Sequence, residues 1–117
     1  MLPISMLLDH SNIYKNVALS STGVLVKGAS TEVYHMHIGN TNASAVFVHF
    51  YNKATAPTTG TDVPVMTYLI PSSGVYAEEL VDPAWFPLGF GVSCTTGSAD
   101  NDSTPPGTAI VVNFIYK

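Results

Sequence analysis

The sequence predicts an all-β fold: a two-sheet antiparallel β-sandwich of jelly-roll type with an extended N-terminal arm. Three observations predict it. Apolar and polar residues alternate in seven or eight short runs, and no long stretch carries helical spacing. Turns rich in Gly, Pro, Asn and Ser separate those runs at regular intervals. The chain has 117 residues, 46% hydrophobic and 10% charged, which is enough for one core and too little for two.

The first segment, MLPISMLLDH, alternates Leu2, Ile4, Met6 and Leu8. Its apolar part is too short to span a bilayer, contains Pro3 and has no basic stretch ahead of it. Residues 1–15 are therefore read as an arm that docks on a neighbour, and residues 16–117 as the single sandwich domain. Asp9 or Ser11 offers a cap for one helical turn over 9–15. Strands are predicted near 17–19 and over 23–27, 32–38, 45–51, 64–70, 75–80, 89–95 and 109–116. Residues 39–44 and 71–74 supply tight turns, while 52–63 and 97–108 make the two long loops.

A hairpin between 32–38 and 45–51 has one favoured register. With Ile38 opposite Val46, Met36 meets Val48 and Tyr34 meets Phe50, which gives one wholly apolar face. Those six residues, with Val92, Ile110, Val112 and Phe114, form the expected core. The other face pairs His37 with Phe47, His35 with His49 and Val33 with Tyr51. Such a semi-apolar face suits cover by another subunit.

Charge excludes some functions. The chain has four Lys, no Arg and a formal net charge of −4, so no nucleic-acid partner is expected. Ser, Thr, Asn and Gly make up a third of the residues and solvate the surface in place of charges. The single cysteine, Cys94, excludes an intrachain disulfide and alternates with Phe90 and Val92, as a buried hydrophobe would.

Candidate chemistry is sparse. His35, His37 and His49 would converge across the proposed hairpin, and three imidazoles with an open fourth position suit zinc. No acidic residue in that run orients them, so they are weak metal candidates. The loop 98–103 places Asp100 and Asp102 at alternate positions but lacks the glycine and distal glutamate of an EF-hand. Glu78 and Glu79 are adjacent and would face opposite sides of a strand. Nucleophile elbows and phosphate-binding loops are absent from the sequence. Neither an enzyme nor a cofactor is expected. The aromatic patch Trp85-Phe86 reads as a subunit contact or core plug, and with Tyr51 it offers a sugar platform as the alternative.

Several motifs in fixed order carry a resemblance. They are Tyr34-His35-Met36-His37-Ile38-Gly39-Asn40-Thr41-Asn42-Ala43, Phe50-Tyr51-Asn52-Lys53-Ala54-Thr55-Ala56-Pro57, and Gly60-Thr61-Asp62-Val63-Pro64-Val65. Ile70-Pro71, Gly89-Phe90-Gly91-Val92 and Val111-Val112-Asn113-Phe114-Ile115-Tyr116-Lys117 follow. Over residues 20–117 the chain resembles small β-sandwich virion structural proteins of tailed bacteriophages. The resemblance implies a particle component made in the host cytoplasm and carried on the virion, without catalytic residues. Within that class the expectation is a capsid decoration (cement) protein, trimeric, bound to the major capsid protein or another virion protein. A tail or fibre component and a carbohydrate-binding module are the alternatives. The expected interface residues are Leu2, Ile4, Met6, Leu8, Phe47, Tyr51, Trp85 and Phe86, with no membrane partner.

Overall fold

A computed structural model describes residues 10–117, and these form two antiparallel four-stranded sheets packed face to face. The strands are β1 (Asn12–Leu19), β2 (Val24–Lys27), β3 (Thr31–Asn40), β4 (Val46–Asn52), β5 (Met66–Ile70), β6 (Gly74–Phe86), β7 (Phe90–Thr95) and β8 (Ile110–Tyr116). One sheet runs β1-β8-β3-β6 and the other β2-β7-β4-β5. The pairs are nested: β4 with β5, β3 with β6, β2 with β7 and β1 with β8. A long double strand folded upon itself in this way is a jelly roll.

The predicted strands are present, with β1, β3 and β6 longer than the alternation indicates. β1 begins at Asn12 and pairs with β8 from that residue, so residues 12–15 belong to the sandwich and not to an arm or a helical turn. β6 continues through Trp85-Phe86. The expected arm contacts at Leu2, Ile4, Met6 and Leu8 lie outside the described residues.

The proposed 32–51 hairpin does not form. β3 pairs with β6 and β8, whereas β4 pairs with β5 and β7 in the other sheet. Met36, Ile38, Val46, Val48 and Phe50 are nonetheless buried, because they meet across the sandwich and not along a ladder. Tyr34 is a second correction. A bulge between Val33 and His35 shifts the alternation, so Val33 enters the core and Tyr34 turns to the surface. Its hydroxyl donates to Glu32 Oε2 at 2.8 Å.

Phe114 of β8 ties the sheets together. It presents its edge to Phe50 and Phe90 of the opposite sheet, with centroids 6.0 and 5.1 Å away. Asn40 holds the chain where it leaves one sheet for the other. Its Nδ2 donates to the carbonyls of Ser44 and Pro71, each at 3.0 Å, and its Oδ1 accepts the Asn42 amide at 2.9 Å. Buried amides need such full satisfaction.

Candidate functional site

The two sheets treat their outer faces differently. Over β2-β7-β4-β5 the two long loops lie across the part of the outer face that holds His49 and Tyr51, while Leu69, opposite Phe47, stays 56% exposed. Pro57 of the first rests on Gly91, where a Cβ would come within 2.8 Å of its ring. Lys53 and Asp62 brace that loop with a 2.6 Å ion pair, and Lys53 holds the Asp62 carboxyl below its ordinary 3.8. The second loop turns back at Gly97, where a Cβ would overlap the Asp102 carboxylate. The loops meet where Gly60 approaches Ser103 and Asn101.

Beneath them lies a closed polar layer. His49, only 1% exposed, has Nδ1 3.0 Å from Thr67 Oγ1 and Nε2 2.7 Å from Thr95 Oγ1. The Thr95 hydroxyl donates its one proton to the Gly97 carbonyl at 2.8 Å. Its oxygen must therefore accept from His49 Nε2–H, which leaves Nδ1 to accept from Thr67. Burial lowers the His49 pKa from 6.5, against the raising pull of Asp100 and Asp102. Tyr51 is buried beside it, with its hydroxyl 3.1 Å from Ser93 Oγ.

The outer face of β1-β8-β3-β6 is open. Strand register sets its side chains in rows: Ile13, Ile115, His35 and Glu79, then Lys15, Asn113, His37 and Ala77. A third row holds Val111, Gly39 and Val75. Ile13 is 80% exposed and Val75 62%. Shallow hollows of about 330 and 350 Å³ flank the rows, one beside Gly39 and the other beside His35.

The metal candidates are not brought together. His35 and His37 lie on the open face, whereas His49 is enclosed in the opposite sheet. The convergence expected from the hairpin fails because that hairpin is not formed. Among the described residues, groups of three or more His, Cys, Asp or Glu able to hold a metal ion are absent. Asp102 accepts the Thr104 amide at 2.8 Å, so it is engaged within its own loop.

The aromatic candidates divide as well. Phe86 is a core residue packed against Phe90 with tilted rings 4.7 Å apart, and Tyr51 is sealed under the loops. The subunit-contact and sugar-platform expectations fail for these two residues, while Phe86 meets the core-plug reading. Phe47 is partly buried, while Trp85 is 65% exposed with its indole N–H donating to Ser30 Oγ. The only mark of this cover in the sequence is the set of hydroxyls, Thr67, Ser93 and Thr95, that partner His49 and Tyr51.

Cys94 is fully buried in the core, and burial pushes its thiol up to about 12. A thiol reagent is therefore expected to leave the native protein unmodified at neutral pH and to label it on unfolding. Fast labelling of the folded chain would contradict this burial.

No family model, curated protein or solved structure matches the chain. Among the described residues, none of the helices needed to cross a membrane occurs.

Proposed function

We propose that this chain is a non-enzymatic structural protein of a bacteriophage virion, a capsid decoration protein that binds the outer shell and stabilises it as an oligomer. The carrying observation is the asymmetry of the two faces. One sheet is partly covered by the chain's own loops, while the other presents open rows of mixed apolar and polar side chains with two charges, Lys15 and Glu79, as a docking face does. The Arg-free, acidic composition is compatible with a partner made of protein and not of DNA. The motif order over residues 20–117 supplies the particle context.

Copy number in purified particles tests the reading. Hundreds of copies per particle support decoration; a few, or none, count against it. A truncation tests the attachment. Residues 1–10 precede β1, so their removal spares every strand among the described residues. Burying Leu2, Ile4, Met6 and Leu8 contributes roughly 1.5–3 kcal/mol each, against about 1–2 kcal/mol per ordered backbone residue. The balance is close to zero for one arm, so several subunits must act together. The truncated chain is expected to melt within a few degrees of the full chain and to co-sediment with particles at lower occupancy. Full occupancy would remove the arm as anchor.

A further inference from the structure

The geometry points to a second copy of this chain as an occupant of the open β1-β8-β3-β6 face, in a two-fold pair with its axis along the strands. The inference stands on strand register; under the proposed function it gives the open face to the oligomer and leaves attachment to the shell to the segment before β1. Turning one sheet over another about that axis lays β1 over the partner's β6 and β8 over the partner's β3. Each row then falls on its own copy.

The middle and third rows fit that overlay, and the first sets Ile13 over Glu79 of the partner subunit. Lys15, the longest side chain of the middle row, lies over Ala77 of the partner subunit, the shortest. Val111 lies over the partner's Gly39, where an added Cβ meets nothing within 4 Å. His37 lies over Asn113 of the partner subunit, a pair able to hydrogen-bond in either imidazole state. Large side chains thus meet small ones at both positions.

Charge agrees with size. Lys15 and Glu79 are the charged residues of the three rows, and they sit on opposite edge strands of the sheet. Within one chain two strands separate them. In the pair, Lys15 of each copy comes within one row of Glu79 of the other, twice by symmetry. Their long side chains absorb the roughly 30° rotation between packed sheets. With strands about 4.8 Å apart and about 3.3 Å per residue, four strands of seven residues present a face near 19 by 23 Å. That is about 440 Å² per copy, below the usual size of stable interfaces, so the expected pair is weak and transient.

Sedimentation of the full chain from about 1 to 200 µM tests the pairing, over the range a small interface populates. The expected result is a monomer–dimer equilibrium. Lys15→Glu or Glu79→Lys alone should weaken it about tenfold, because each puts like charges together twice. The double variant K15E/E79K should recover it. Gly39→Trp fills open space in the monomer and should abolish the pair without lowering the melting temperature. A chain that stays monomeric, a trimer, or a double variant no tighter than the single ones would overturn the proposal.

Discussion

Phe114→Ala is expected to lower stability by about 3–5 kcal/mol, the usual cost of emptying a buried aromatic site. The ring is fully buried and bridges the sandwich. Phe50 and Phe90 stack nearly parallel within one sheet at 6.0 Å, and Phe114 of the other sheet meets each edge-on. Edge-to-face pairs add about 0.5–1.5 kcal/mol beyond the area they bury. A domain of this size holds only about 6–18 kcal/mol in all, so the loss removes a large fraction of it. Thermal melting followed by circular dichroism should show a fall of about 10–25 °C. Phe114→Leu, which keeps most of the volume, should lose less than half as much. A drop under a few degrees for the alanine variant would mean that the two sheets are held elsewhere.

That core was largely legible in the sequence, and the reason marks where legibility stops. Alternation reports which side of a strand is apolar, so Met36, Ile38, Val46, Val48 and Phe50 stand out without any knowledge of pairing. It does not report which strand lies beside which. β3 and β4 are consecutive and joined by a short link, yet that link crosses between sheets and the hairpin register fails with it. A bulge is equally silent, since one extra residue at Tyr34 leaves the composition of β3 unchanged while reversing its phase. The outer faces were the least legible part. Phe47, His49 and Tyr51 read as a surface awaiting a subunit, but His49 and Tyr51 are covered by loops whose path depends on single contacts such as Pro57 on Gly91, and Phe47 stays partly exposed. His35 and His37 share the same pattern and remain open. Nothing in the alternation separates the two outcomes.

Acid should unfold this protein partly through His49. Its imidazole is held neutral by a directed chain: Thr67 donates to Nδ1, Nε2–H donates to Thr95, and Thr95 donates to the Gly97 carbonyl. A second proton can go only to Nδ1, and the Thr67 hydroxyl must then turn its own proton away. The charge would also sit under loops that exclude water, which is why burial lowers the pKa from 6.5 despite Asp100 and Asp102. In the unfolded chain the same imidazole titrates near its ordinary value. The unfolded state therefore binds more protons below about 6.5, and stability falls as the pH drops through and below that value. Above it the contribution is complete and flat. Asp62 and Asp102, both held below 3.8 by their hydrogen bonds, add their loss in a separate and more acidic window. Denaturant unfolding between pH 8 and pH 5 should thus show a steady decline in the wild-type chain. His49→Gln keeps an amide donor and acceptor in the layer but cannot take a proton, so its stability, lower at pH 8, should change little over the same range. Equal slopes for the two chains would place the acid sensitivity in other groups.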